Sequence, residues 1–192
     1  MVEGSGATRQ PDEYALVERA IQGDAEAFGA LYALHLEAIY RYVYFRVGDE
    51  TEAEDLTEEV FVRVWEALPD YAITGHPFTS WVYRIAHNLI IDHRRKRRPE
   101  PVEDEMLANL PSQAATPEEV VVQQQELRRL TAAVRQLGEE EQQVVILRFV
   151  QGLSHREVAE ILGKSEVASR VILHRALNAL ARILRWSEAS HG

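Results

Sequence analysis

Apolar residues recur at intervals of three and four along most of the chain, and no segment sustains the alternation of a strand. The pattern predicts an all-α protein. From Asp12 to Ile21, Ala15, Leu16, Ala20 and Ile21 mark a short helix that Gly23 closes. Asp24 is placed to cap a second helix with the stripe Phe28, Leu31, Tyr32, His35, Ile39, Tyr40 and Val43. Gly48-Asp49 breaks it and caps a third, which Pro69 ends. A loop from Asp70 to Pro77 leads into a fourth helix, from Phe78 to about Arg97, with Phe78, Trp81, Ile85 and Leu89 on one face. Pro99, Pro101, Pro111 and Pro117 make residues 99–120 a linker rather than packed structure. Helical patterning resumes near Val121 and divides at Gly138, Gly152 and Gly163. The predicted organisation is two small helical domains, 12–98 and 121–186, on a flexible linker, with tails at 1–11 and 187–192.

The second unit carries the sharper pattern. Ser154 is an N-cap with Glu157 three residues on, the spacing of a capping box. Val158, Ala159 and Leu162 give an inward face, and Gly163 supplies a turn residue free to take positive φ. Ser165 opens a longer helix that buries Ile172, Ala176, Leu180 and Ile183. Small Ala159 allows two helices to cross closely, as in a DNA-binding helix–turn–helix. Its second helix would then present Lys164, Ser165, Ala168 and Arg170 to base edges, with His174 and Arg175 further along. An ordinary helical hairpin with solvated charges has the same spacing.

In the first unit, Glu54, Asp55, Glu58 and Glu59 form a carboxylate ridge beside inward Leu56, Val60, Phe61 and Trp65. Such a ridge is either a solvated face or a docking surface. The next segment sets Tyr71, Phe78, Trp81 and Tyr83 beside a basic helix end, a mixture that suits exposed bases of single-stranded nucleic acid. The spacing of Phe78 and Trp81 equally makes them core residues, which leaves the Ala72–His76 loop freer to bind.

Charge sharpens this picture. The formal net charge is −10, yet residues 84–98 hold six basic side chains against one acidic, and the chain from 144 onward is also net basic. Overall acidity argues against indiscriminate polyanion binding, while two cationic islands permit local phosphate contact. With no cysteine, disulfides and thiolate metal sites are excluded. No apolar run reaches membrane length, so neither a secretion signal nor membrane insertion is expected, and a cytoplasmic location is. The seven histidines form no HExxH pattern, and no phosphate loop or nucleophile motif occurs. Neither catalysis, a cofactor nor a metal is expected. A helix–turn–helix regulator with an N-terminal sensor or dimerisation domain remains a second reading.

Taken together and in this order, the segments resemble a bacterial sigma factor of the extracytoplasmic-function (ECF) type. "AEDLTEEVFVRVW" is similar to region 2.2, "FTSWVYRIAHNLIIDHRRK" to regions 2.3 and 2.4, and the stretch from Leu127 to Leu177 to region 4. The resemblance implies a region 2 bundle and a region 4 helix–turn–helix that bind core RNA polymerase and promoter DNA. Asp55, Leu56, Glu58 and Glu59 would dock on the β′ clamp helices, and region 4 would meet the β flap. Thr74 and His76 would help capture a flipped base of the −10 element. Arg84, His87 and Asn88 would line that strand's path, with Arg94, Arg95, Lys96, Arg97 and Arg98 on its phosphates. Ser165, Ala168, Arg170, Val171, His174 and Arg175, joined by Lys164, would face the −35 element, with Arg156 on phosphate. An anti-sigma factor is an implied partner. The acids Glu100, Glu103, Asp104 and Glu105 after the basic run would either mimic a phosphate chain inside the polymerase or keep the linker extended. Three positions depart from the family pattern: Gly138 where proline is common, Val167 where glycine is frequent, and Ser169 where an apolar β-branched residue is frequent. Ser169 would be a buried hydroxyl bonded back to the Ser165 carbonyl.

Overall fold

The structure, a computed structural model, describes residues 12–73, 76–96, 126–127 and 129–189, with side chains as far as 185. The linker acids, the tail at 1–11, Thr74, Arg97 and Arg98 lie outside the described residues, whereas helical backbone continues to Ala189, into the tail expected at 187–192. Among those described, every regular element is helical.

Local chemistry sets each boundary in the first unit. Asp12 caps α1 (Glu13–Ile21) by accepting the Tyr14 N–H. Asp24 caps α2 (Ala25–Val47), accepting from the N–H groups of Glu26 and Ala27 at 3.0 and 3.1 Å. Those bonds, Ala27's first, and the Arg19 guanidinium hold the Asp24 carboxyl below its ordinary pKa. Helix α2 stops at Gly48, whose φ of +81° lies in the left-handed region. A Cβ there would also sit 2.4 Å from Nη1 of Arg135, a residue of the second unit. Asp49 then caps α3 (Glu50–Ala67), accepting the Glu52 N–H at 2.7 Å. Pro69 has no N–H to extend the ladder, and the chain tightens into a 3₁₀ turn over Leu68–Asp70. Helix α4 (Phe78–Lys96) follows the loop.

Around α2 pack α1, α3 and α4, with Leu31, Ile39, Tyr42, Val43, Val60 and Val82 among the side chains fully removed from solvent. Tyr42 meets Tyr83 edge-on at 5.2 Å. One predicted core residue sits elsewhere. Trp65 is 38% exposed, at the margin of α3, where it leans on Phe28 at 4.8 Å.

The second unit begins with a helix through residues 129–135 (α5) and continues with α6 (Glu139–Val145). Helix α6 loosens into one π turn over Ile146–Val150, where Gln151 N–H reaches back to the Ile146 carbonyl at 3.1 Å. Then come α7 (His155–Leu162) and α8 (Glu166–Ala189). Helix α8 lies across α6 and α7. Ile161 takes the inner position predicted for Leu162, which is only half-buried.

The two units are not separate bodies in this structure. Helix α4 packs on α7 and α2 packs on the π turn, so the buried apolar side chains of both units form one cluster.

Candidate nucleic-acid interface

The helix–turn–helix is built as its spacing predicts. Glu157 N–H donates to Ser154 Oγ at 3.2 Å, and Ser154 N–H donates to the Glu157 carboxylate at 2.7 Å. Gly163 takes φ +63°, and Ser165 Oγ accepts from Ala168 N–H at 3.1 Å at the start of α8. The Ser154 bonds hold the Glu157 carboxyl below its ordinary pKa. A depressed folded pKa stabilises above the unfolded value, here near 4.5, and that support is lost as pH falls through the folded pKa. Ser154→Ala is expected to cost about 1 kcal/mol at neutral pH. It should also flatten the acid limb of a stability–pH curve measured by chemical denaturation.

Along the outer face of α8, Val167, Arg170, Val171, His174 and Arg175 are exposed, with Ala168 half-buried beside them. Arg170 donates to Glu166 at 2.5 Å, one turn back. Lys164 reaches Glu140 at 2.8 Å, and Arg175 lies 3.8 Å from Glu141. Arg156 stands at the open start of α7, paired with Glu160 at 3.3 Å. All of these cations except Lys164 sit on side chains more than half exposed, so their pairs hold them loosely.

Ser169 corrects one expectation. Its hydroxyl is fully buried as predicted, but Oγ makes no hydrogen bond among the described residues. The Ser165 carbonyl already accepts Ser169's own N–H at 3.0 Å. A buried, unsatisfied hydroxyl is a cost, so Ser169→Ala should stabilise the protein by about 1 kcal/mol in thermal or denaturant unfolding.

In the first unit, Asp55, Glu58 and Glu59 are exposed along α3, with Glu59 bonded to Arg63 at 2.7 Å. Leu56 departs from its predicted docking role: it is buried in the core and seats the ridge from beneath. Val62, missed by sequence reasoning, is 54% exposed and continues the ridge at i+7 from Asp55. Only its spacing from Asp55 along the helix could have flagged it.

Between the loop and α4 opens a cleft of about 370 Å³, lined by Ala67, Asp70, Tyr71, Ala72, His76, Pro77, Trp81 and Arg84. Phe78 and Tyr83 are buried below it, while Tyr71 and Trp81 form its half-buried wall, 4.6 Å apart. Burial raises the Tyr71 pKa. An aromatic wall, a histidine and an arginine around a base-sized hollow suit stacking and edge recognition of an extruded base. Arg84, Asn88, Arg95 and Lys96 are exposed along α4 beyond it.

His87 and Arg94 are placed differently. His87 is half-buried in a second cleft shared with Glu139, Glu140, Gln143, Ile161 and Leu162. Desolvation, then the charge of Arg46, lowers its pKa. Arg94 donates to the Arg46 carbonyl and, at 3.3 Å, to Gln142 Oε1 of the second unit. Of the residues expected along the opened strand, His76 also touches that unit, 3.4 Å from Glu160.

Fold and surfaces together define a two-unit helical protein with a helix–turn–helix reader in its second unit. Residues 31–100 match the family Sigma-70 region 2, and residues 127–180 match Sigma-70, region 4. The chain is 41% identical over 171 residues to the ECF RNA polymerase sigma factor BldN of Streptomyces coelicolor, covering 88% of this chain and 64% of that one. It is 34% identical to the ECF RNA polymerase sigma factor ShbA of Streptomyces griseus, over 86% of this chain and 92% of ShbA. Among solved structures, CnrH in complex with the cytosolic domain of CnrY superposes with a TM-score of 0.69 at 28% identity, covering 90% of this chain and 97% of that one. The chain belongs to the ECF RNA polymerase sigma factors.

Proposed function

We propose that this chain is the promoter-specificity subunit that brings core RNA polymerase to its start sites, with residues 12–98 and 121–186 as the two working units. The Asp55–Glu58–Glu59 ridge, extended by Val62, docks on the β′ clamp helices, and the second unit meets the β flap. The cleft beside His76 takes a flipped base of the −10 element. Arg84, His87, Asn88 and the basic end of α4 carry the strand that leaves it. The outer face of α8, from Ser165 to Arg175, reads the −35 element as duplex, with Arg156 on phosphate. Work is done by differential binding, with no bond made or broken by the protein, and it takes place in the cytoplasm.

One observation carries this reading: an exposed carboxylate ridge, an aromatic cleft with a cationic exit and a capped helix–turn–helix occur in one chain, in that order. The region 2 match removes the alternative of a regulator with a sensor domain, since such a domain needs neither ridge nor cleft. CnrH was solved bound to the cytosolic domain of CnrY, and a protein partner of anti-sigma type is proposed for this chain as well. Among the described residues no helix is long and apolar enough to cross a membrane. The test is a native-gel or sedimentation assay with purified core polymerase alone. The chain should join core without any activator, and a chain that never does so is not such a subunit.

A further inference from the structure

Arg46 is the most unusual charge in the molecule. It lies at the end of α2 with no solvent exposure, and its Nε has no partner among the described residues. A guanidinium in that position needs an anion. The anion comes from the other unit: Nη2 donates to Glu139 Oε1 at 3.0 Å, and Nη1 points at the Glu139 carbonyl at 3.5 Å. Arg94 stands beside it, bonded to the Arg46 carbonyl and to Gln142. The start of α6 thus brings a carboxylate and an amide oxygen onto a pair of arginines in the first unit. Arg41 adds a bond to the Val150 carbonyl at 2.9 Å, and Gly48 lets Arg135 lie close across the same seam.

Separation of the units would take Glu139 from Arg46 and Gln142 from Arg94, while the bond from Arg94 to the Arg46 carbonyl, internal to the first unit, keeps the two arginines side by side. The bidentate fork of arginine matches carboxylate and phosphate alike. His87 and Arg94, seven residues apart on α4 and both proposed for the opened strand, are turned against this same seam. We propose that Arg46 joins Arg94 in a further phosphate-binding site for the opened promoter strand, a site that Glu139 and Gln142 fill and block while the units are closed. The proposal rests on the sigma-factor reading and adds to it a residue from α2 to which sequence reasoning assigned no binding role, together with an internal competitor for DNA. The closed chain holds its own anion on the strand path, and core polymerase must displace it.

The test uses the full chain without polymerase and a fluorescein-labelled single-stranded 15-mer of mixed sequence, with affinity read by anisotropy across a salt series. X-ray scattering reports opening, and circular dichroism confirms folding. The Glu139 side chain is 44% exposed, so Glu139→Gln carries little folding risk. It should expand the chain, tighten binding at least fivefold and steepen the log–log salt slope by about 1.4, two single-strand phosphates at roughly 0.7 each. Arg46→Gln should expand the chain as well, yet bind more weakly than Glu139→Gln, with a slope shallower by about 0.7. If Glu139→Gln neither opens the chain nor tightens binding, the occlusion is refuted. Equal affinity and slope for the two opened variants would remove Arg46 from the site. Run-off transcription by the parent chain with core separates these failures from that of the parent reading: transcripts without a gain in Glu139→Gln sink only the new site.

Discussion

Asp55→Arg should strongly weaken assembly with core polymerase while leaving the protein folded. Asp55 is exposed on α3, whereas Leu56 next to it is buried and anchors the helix. Arginine is a good helix former, so the backbone has no reason to change. The electrostatics change twice over. The ridge loses one negative charge and gains a positive one, and the new guanidinium can fold back on Glu58 and Glu59 at i+3 and i+4. A partner surface complementary to carboxylates then meets a cation. Like-charge contact at an interface costs several kcal/mol, so core affinity should fall by about 3 kcal/mol, roughly a hundredfold. Sedimentation with core measures it, with unchanged helical circular dichroism as the folding control. Binding of the variant to duplex −35 DNA should persist. An unaltered affinity for core would show that the ridge is only a solvated face.

Arg170→Ala should have the second large effect, on duplex DNA alone. In the free chain Arg170 is held one turn back by Glu166, an exposed i,i+4 pair worth little by itself. Removing Arg170 loses a contact to base edge or phosphate, and it leaves the Glu166 carboxylate uncompensated against a polyanion. A bidentate arginine–base pair contributes about 1–3 kcal/mol of discrimination. A loss of ten- to a hundredfold in −35 affinity is expected, measured by anisotropy on duplexes drawn from selected promoters. The salt dependence separates the two kinds of contact. A phosphate contact would flatten the log–log slope by about 0.9, whereas a base contact would leave it close to the parent's and relax the sequence preference. Core binding should be untouched.

The parts of the molecule that were legible in the sequence are those fixed by local chemistry. Asp24, Asp49 and Ser154 cap helices where their side chains can reach N–H groups two and three residues ahead, and Gly48 and Gly163 end helices in a conformation few other residues tolerate. The carboxylate ridge and the outer face of α8 follow from the same periodicity. Trp65 and Leu162 were misread because hydrophobicity gives a face only to within one position of the helical wheel, and the margin of a stripe is decided by the neighbour across it. The π turn at Ile146–Val150 has no signal in residue type. Ser169 was rightly seen as buried, but the hydroxyl rotamer that decides whether it bonds back to Ser165 has no signal in residue type.

Contacts between the units were not legible at all. Arg46 lies inside an apolar stretch, Glu139 opens a helix 93 residues away, and each alone looks like an ordinary helix charge. A flexible linker predicts two independent bodies, and only the packed structure shows Arg94 and His87, expected on promoter DNA, turned against the second unit.

The account stands on one activity, and run-off transcription measures it. Purified chain and core polymerase on a randomised promoter library should yield transcripts whose templates share two short motifs at a fixed spacing upstream of the start, and Asp55→Arg should erase them. The contradicting result is silence from every template in a reaction where the same core initiates normally with another sigma factor.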